Sequence, residues 1–371
     1  MKKENAYLET ATLYQRGLSL IELMVSLTIG LILLAGLSLL FVESSRSHRE
    51  LSEASKQIEN GRYALQLLTD ELHLAGFYGR FSGLSTITIP AAPDPCEVND
   101  TTAMHDALPV HIQGYAAANS ASRPTIASAA CAAYLTSANL KPGSDVFVIR
   151  RADTKVLTQG TDTTTTNEIY IQASTGGAEI QKGNGGAVTA ASKADGTAAD
   201  IFGFCTPQPC VPPAAPIRKF HVDIYFVAPC SMPSGGGANC TGSSDDGGAP
   251  IPTLKRLQLT SAGGATVMSI TSLVEGIETM NIDYGIDSDG DGAPDSYLRT
   301  PTAPPADWAN VVSANLYLLS RNTLLTGGYT DTKTYAMGLV NGSYAPGGSY
   351  KRHLYSASVR LINASMRREI P

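Results

Sequence analysis

The feature that most constrains the fold of this chain is an uncharged apolar segment near its N-terminus. Residues 23–42 contain no Asp, Glu, Lys or Arg. At about 1.5 Å per residue, a helix of this length spans about 30 Å, the thickness of the hydrocarbon core of a bilayer. The sequence therefore predicts a membrane-spanning helix. Glu22 stands directly before it, and a carboxylate at the edge of a span is costly enough to indicate a functional position with a positively charged partner.

The residues before Glu22 offer a way to create that partner. The polar segment 1–17 ends in Gly17, and cleavage after this glycine would produce a free α-amine at Leu18. The amine could pair with Glu22 of its own chain or of a neighbouring subunit. A secretory signal peptide fits less well, because its apolar region is shorter and is followed by a small-x-small cleavage site. An uncleaved signal anchor stays open as an alternative.

The arrangement of Gly17, Leu18 and Glu22 resembles the cleavage signal of type IV prepilins, in which Glu is the fifth residue after the cut. Leu18 departs from the Phe that major pilins usually carry, although it keeps an apolar first residue. The chain as a whole resembles the PilW family of large minor pilins. The stretches that carry this resemblance are Gly76-Phe77-Tyr78-Gly79, Gly143-Ser144-Asp145-Val146-Phe147-Val148-Ile149-Arg150-Arg151, Leu273-Val274-Glu275-Gly276-Ile277-Glu278, Tyr284-Gly285-Ile286-Asp287-Ser288-Asp289-Gly290-Asp291-Gly292 and Ser358-Val359-Arg360-Leu361.

The resemblance implies a minor pilin that primes assembly of a type IV pilus and sits near its tip. Prepilin peptidase would cut after Gly17 and N-methylate Leu18, and Glu22 would then align the helix with a neighbouring subunit. The implied partners are other minor pilins, the major pilin, the inner-membrane assembly platform and a tip adhesin. Two alternatives stay open: a J-type pseudopilin of a type II secretion system, and a signal-anchored extracellular binding or adhesive protein.

Charge and cysteine content bear on location. Within residues 1–17, Lys2, Lys3 and Arg16 outnumber the acidic Glu4 and Glu9, which favours a cytoplasmic N-terminus. In a bacterium the C-terminal domain then lies in the oxidising periplasm and later on the pilus surface.

All six cysteines follow the span, and they allow fifteen pairings. Short loops favour two pairs and leave a third: Cys205–Cys210, Cys230–Cys240 and Cys96–Cys131. A zinc site is less favoured, because no CxxC pair or nearby His supports it.

Apolar periodicity predicts that the membrane helix continues well beyond the bilayer. The first 89 residues contain no proline, whereas the chain has 21 prolines in all. Apolar or small residues recur three and four positions apart, as expected for one face of a helix over 18–75 that ends at Gly76 and Gly79. We expect this face to pack against the β-sheet of the same chain, against other subunits in a filament core, or against both. Its members are Leu51, Ala54, Ile58, Gly61, Leu65, Leu68, Leu72 and Ala75.

The remainder of the chain is predicted to be rich in β-strands, so the expected fold class is α+β, with a pilin-like long helix packed on an antiparallel β-sheet ectodomain. Long Ala/Gly/Ser/Thr tracts at 158–167, 176–199 and 231–252 are predicted to be surface loops. The predicted domains are a leader (1–17), the membrane half of the helix (18–42), its amphipathic half (43–79) and the ectodomain (80–371). Alternating or β-branched runs predict strands at 145–151, 168–172, 219–227, 254–259, 267–274, 277–284, 311–319 and 353–362.

One ectodomain segment resembles a metal-binding loop. Carboxylates alternate along 287–295, and Gly292 follows at the sixth position, as in the first half of an EF-hand loop. Leu298 occupies the twelfth position, where an EF-hand carries a bidentate Glu. The loop is therefore either a weak Ca²⁺ site or a solvated Asp/Gly turn. Its candidate ligands are Asp287, Asp289, Asp291, Asp295 and the carbonyl of Ala293.

Composition and motifs argue against two other classes of protein. The net charge of −6 argues against a broad nucleic-acid interface. The chain contains no GxSxG, HExxH or P-loop motif, so the sequence predicts no enzymatic activity.

Overall fold

The structure is a computed structural model that describes residues 17, 19–89, 91–158, 160–175, 177–188, 215–301, 306–339 and 344–369. It divides into two compact units, Met1–Ser52 and Glu53–Pro371. Helix α1 (Leu20–Leu74) begins in the first unit and ends in the second. The predicted helix is thus confirmed within one or two residues at each end, with Leu18 outside the described residues.

In the first unit, α1 is apolar and its side chains are exposed. The most apolar 18-residue stretch has a mean hydropathy of 2.5, and none of it is buried within the chain. By length and composition, this stretch can cross a membrane. Its hydroxyl groups are satisfied locally, because Ser26, Thr28 and Ser38 each donate to a carbonyl three or four residues earlier. The helix therefore exposes no unpaired hydroxyl at these three positions.

In the second unit, α1 buries one face against the strands. The buried positions are three or four residues apart, which is the spacing of one side of a helix. Gly61 is required here, because a Cβ at this position would lie 2.2 Å from the ring of Tyr355. The buried residues of this face are Glu53, Gln57, Gly61, Ala64, Leu68 and Leu72.

The start of this face differs from the prediction. Leu51 and Ile58 are exposed, at 67% and 44%, and Ala54 is half-buried. Glu53 and Gln57 are buried instead, although both are polar. The predicted stripe therefore does not pack on the chain's own strands at these positions, and it does so from Gly61 onward, where Leu68, Leu72 and Ala75 are buried and Leu65 is half-buried. Packing of Leu51 and Ile58 in a filament core stays a prediction.

Hydrogen bonds explain why polar residues occupy the buried face. The Gln57 amide donates to the carbonyls of Ser320 and Lys351, each at 3.0 Å. The Glu53 carboxylate accepts from the backbone N–H and the hydroxyl of Thr323. Because these partners lie more than 250 residues away along the chain, no local pattern in the sequence could reveal them.

The strands form two antiparallel sheets. All eight predicted strands are present, and three short strands were not predicted. One of these, β4, lies in the tract 176–199 that was predicted to be a loop. The strands are β1 (Ile112–Tyr115), β2 (Val146–Ala152), β3 (Ile169–Ala173), β4 (Ala178–Lys182), β5 (Ile217–Ala228), β6 (Thr253–Ala262), β7 (Ala265–Glu275), β8 (Ile277–Ile286), β9 (Ser296–Leu298), β10 (Val311–Arg321) and β11 (Arg352–Arg360).

The seven-stranded sheet has the order β1-β2-β5-β3-β4, and β6 joins it by pairing with both β5 and β7. The four-stranded sheet has the order β11-β10-β8-β9, with Ile282 of β8 opposite Leu316 of β10. The short helix α2 (Thr101–Asp106) precedes β1, α3 (Ala306–Ala309) lies between β9 and β10, and α4 (Ile362–Arg368) follows β11.

Two apolar cores hold the second unit together. One lies between α1 and both sheets and contains Leu68, Phe147 and Leu316. The other lies on the opposite face of the seven-stranded sheet and contains Val148 and Phe220. Strand β2 is buried along its whole length because it contributes side chains to both cores.

Candidate functional site

The first turn of α1 holds the predicted processing and assembly residues. Gly17 and Glu22 lie within the described residues and Leu18 does not. Ser19 precedes the helix, and its backbone N–H donates to Glu22 Oε2 at 3.1 Å. This is half of a capping box, in which a Glu at the third helical position satisfies a backbone donor at the helix start. The sequence Ser19-Leu20-Ile21-Glu22 matches that pattern, a signal that the sequence analysis overlooked.

The side chains that follow Glu22 offer a continuous apolar surface. Leu20 is 77% exposed and Phe41, near the other end, is 74% exposed. An exposed apolar surface of this length is unfavourable in water and requires a lipid or protein environment. The turn around Glu22 therefore lies at the start of a surface made for insertion or association.

The acidic segment 287–295 forms the connection between β8 and β9. Asp287 is fully buried, and its two carboxylate oxygens accept from the backbone N–H groups of Gly290 at 2.6 Å and Gly292 at 3.0 Å. Arg368 lies 3.3 Å from the same carboxylate. Burial would raise the pKa of Asp287, but the two N–H donors and Arg368 outweigh it, so the pKa lies below its usual value.

The other acidic residues of the loop fit a cation only in part. Carboxylate oxygens of Asp287, Asp289 and Asp295 lie within 4.8 Å of one another. Asp291 is outside this group, and its carboxylate accepts from the N–H of Ala293 at 2.7 Å. Since Ca²⁺ takes six to eight oxygen ligands, three converging carboxylates supply about half of a site. Calcium binding stays a prediction.

Two segments of the chain match known protein families. The family model for "Type IV Pilus-assembly protein W" matches residues 241–363, and that for the "Prokaryotic N-terminal methylation motif" matches residues 13–38. No curated relative matches the chain. The chain is therefore similar to the PilW family over residues 241–363 and to type IV prepilins over residues 13–38. A solved type IV-like pilin from Thermus thermophilus is 16% identical, covering 39% of this chain and 79% of that chain, with a TM-score of 0.22.

The two matched segments correspond to different parts of the chain. The methylation motif contains Gly17, Leu18 and Glu22, whereas the PilW segment contains strands β6 to β11 and the acidic loop. The pilin family and the motif together imply interaction with other pilins and with prepilin peptidase. They also fit a pilin anchored in the inner membrane. PilW and pilin families are structural and not enzymatic.

The cysteines of the chain form two disulfides within the described residues. Cys96 pairs with Cys131 and Cys230 with Cys240, which are the pairings that the sequence favoured for these four residues. Both disulfides border the core that faces away from α1. Cys205 and Cys210 lie outside the described residues.

The second unit also contains a buried connection between its two sheets that the sequence did not predict. Asp145, directly before β2, accepts from the backbone N–H of Ile282 in β8 at 3.1 Å and from that of Ala117 at 2.9 Å. Arg299 pairs with the same carboxylate. Burial raises the pKa of Asp145, and the Arg299 guanidinium opposes that shift. The resemblance had singled out Gly143-Ser144-Asp145, and the structure gives the segment a reason: it joins the sheets.

Proposed function

We propose that this pilin is a minor subunit of a type IV pilus that enters the filament through the first half of α1. Prepilin peptidase cuts between Gly17 and Leu18 and methylates the new amine. The subunit then joins other minor pilins, primes assembly on the inner-membrane platform and stays near the tip, where a tip adhesin would bind.

The observation that carries this proposal is the complete exposure of the apolar half of α1. A membrane anchor needs only enough apolar length to cross the bilayer. This segment adds a carboxylate at its start, in Glu22, together with a methylation motif over residues 13–38. Insertion alone does not explain a charge at that place, because the charge makes insertion less favourable. Pairing with the amine of a neighbouring subunit does explain it.

Two observations, the size of the second unit and the PilW match, support the proposed tip position. The second unit, Glu53–Pro371, contains most of the chain, and a lobe of this size would crowd a regular helical shaft. Few copies at one end avoid that crowding. The PilW match favours a pilus over a J-type pseudopilin of a secretion system, and the methylation motif favours processing over a permanent signal anchor.

Mass spectrometry of the N-terminus tests processing. The full chain is expressed with prepilin peptidase and extracted from membranes, and we expect a mature chain that begins at methylated Leu18. Gly17→Trp should leave the precursor uncut. Gly30→Trp is the matched control, because a Cβ added at either glycine would have no neighbouring atom within 4 Å. An intact Met1 in the wild type, with active peptidase present, would contradict the proposal.

Immunogold labelling tests the position. We expect antibody against the second unit to label one end of sheared pili, and a strain lacking this chain to carry few pili. Labelling along the whole shaft would show that the chain is a shaft subunit, and normal piliation without it would exclude a priming role.

A further inference from the structure

The second unit contains a cavity that neither processing nor filament assembly uses. It has a volume of about 530 Å³ and lies between the segment that follows α1 and helix α4. Its apolar wall includes Leu84, Ile87, Ile89, Pro109 and Ala364. A volume of this size and a mainly apolar wall with a few polar groups are typical of sites for small ligands.

The charged groups of this cavity are all cationic. Arg367 and Arg368 line it, and no Asp or Glu does so among the described residues. His111 also lines it and contributes no charge at neutral pH, because burial and the nearby Arg367 together lower its pKa to about 4. The cavity therefore presents positive charge beside an apolar wall.

Arg367 is held in position but is not neutralised. Its Nη1 donates to the carbonyl of Gly76 at 2.8 Å. The guanidinium packs closely on that glycine, since a Cβ there would lie 2.9 Å from Nη2. Asn363 of the same helix donates to the carbonyl of His73 and so ties α4 to the end of α1. No described carboxylate forms an ion pair with Arg367. A guanidinium has five N–H donors, and the bond to Gly76 uses one.

Arg368 differs from its neighbour. It pairs with Asp287 of the acidic loop at 3.3 Å and donates to the side-chain oxygen of Asn310. Its charge is therefore partly neutralised within the chain, which leaves Arg367 as the cation without a counterion among the described residues that line the cavity. One unpaired guanidinium beside an apolar wall matches a ligand with one negative charge, because a single guanidinium balances one carboxylate and would leave a doubly charged phosphate half-neutralised.

We propose that this cavity binds a monocarboxylate that carries an apolar group, with Arg367 holding the carboxylate and the wall around Ile87 holding the apolar part. Two sources supply this chemistry: a free organic acid and the C-terminal residue of a polypeptide. The site is independent of the proposed role in the pilus.

Binding to the full chain in detergent tests the proposal by saturation-transfer NMR and isothermal titration. The probes are 4-phenylbutanoate and its primary amide, and N-acetyl-Leu-Phe with a free carboxylate and as its C-terminal amide. We expect at least one acid to bind. Its amide should bind at least about tenfold more weakly, since hydrogen bonds to charged groups are the stronger ones. A tighter peptide acid identifies a polypeptide terminus as the source, and an equal or tighter 4-phenylbutanoate identifies a free acid.

Three variants locate the site. Arg367→Gln should weaken binding of the acid about tenfold or more. Leu84→Trp should block the cavity without changing its charge, so it tests the site even if loss of Arg367 disturbs the fold. Arg80→Gln is the control, because Arg80 is exposed and does not line the cavity. Equal binding of acid and amide, unchanged binding by both cavity variants, or no binding of either acid would overturn the proposal.

Discussion

The two halves of α1 use opposite chemistry on their surfaces. In the first unit, apolar side chains such as Phe41 are exposed, whereas in the second unit the polar Gln57 is buried and hydrogen-bonded. Hydrophobicity alone would therefore predict the wrong half to be buried within the chain, since the more apolar half is the one with no buried contacts. The first half therefore needs contacts with lipid or with another chain, whereas the second half packs on the strands of its own chain.

The largest expected effect comes from breaking the packed region at Asp145. Asp145→Ala leaves the partly buried Arg299 guanidinium without its carboxylate and leaves the N–H groups of Ile282 and Ala117 without their acceptor. We expect unfolding of the second unit to become easier by about 3–5 kcal/mol, the usual cost of removing one partner of a buried pair. Chemical denaturation of the full chain in detergent measures this. The first unit makes no use of Asp145, so membrane insertion should be unchanged. A loss below about 1 kcal/mol would show that the connection between the sheets is not needed.

A second expected effect depends on pH and concerns Asp223, which is buried between α1 and the sheet. Burial raises its pKa to about 6; Glu71 adds to this shift, while Arg256 and Arg151 oppose it. Because the folded pKa exceeds the unfolded one, the folded state binds more protons between about pH 4 and pH 6. Stability from this residue should therefore fall as pH rises through that window, by about 3 kcal/mol for a shift of about two units.

The measurement is the difference in unfolding free energy between the wild type and Asp223→Asn, taken from pH 4 to pH 7. Other carboxylates shift both proteins equally, so the difference isolates Asp223. We expect the advantage of the wild type to shrink as pH rises. A difference that stays constant or grows would contradict the raised pKa.

Calcium gives the next effect, and it again concerns the packed region alone. If the acidic loop binds Ca²⁺, a hundredfold excess over Kd should stabilise the second unit by about 2.7 kcal/mol. The double variant Asp289→Ala, Asp291→Ala should lose this response. The control Glu59→Ala, Asp70→Ala removes two carboxylates of α1 that lie outside the loop and should keep it. Thermal melting with Ca²⁺ and with Mg²⁺ measures the response, and no shift in the wild type would make the loop a solvated turn.

The smallest of these stability effects concerns one buried and one exposed residue of α1. Gln57→Ala should cost about 1–3 kcal/mol, because the buried carbonyls of Ser320 and Lys351 each lose a donor. Ile58→Ala, one residue further along, should change stability by about 0.5 kcal/mol or less, because that side chain is 44% exposed. Denaturation of both variants side by side measures the two costs. If Ile58→Ala proved the more costly, the burial pattern described for α1 would be wrong.

The sequence predicted those parts of the molecule that follow from local periodicity. The helix and eight strands were found because their apolar residues recur at 3.6 or 2 positions over long stretches. Strand β4 was missed because Ala178–Lys182 is short and lies within a tract rich in Gly and Ala. The partners of Gln57, Asp145 and Arg368 could not be predicted, because each contact joins residues far apart in the chain.

The N-terminal site shows the same limit. Glu22 was identified from its charge at the head of an apolar segment, and its partner in another subunit stays a prediction. Its hydrogen bond to the Ser19 N–H gives it a second role within the chain, as a helix cap. The two roles predict different behaviour for a neutral side chain of the same shape, since Gln also caps a helix but carries no charge.

Incorporation of Glu22 variants into pili therefore tests the account most directly. The quantity measured is the amount of this chain in sheared pili relative to mature chain in membranes, for Glu22→Gln, Glu22→Ala and the control Glu43→Ala, which removes an exposed carboxylate beyond the other end of the apolar segment. If charge pairing aligns the subunits, both Glu22 variants should be cut and inserted normally yet poorly incorporated, and Glu43→Ala should behave as the wild type. Wild-type incorporation of Glu22→Gln would contradict charge pairing and leave Glu22 with its capping role alone.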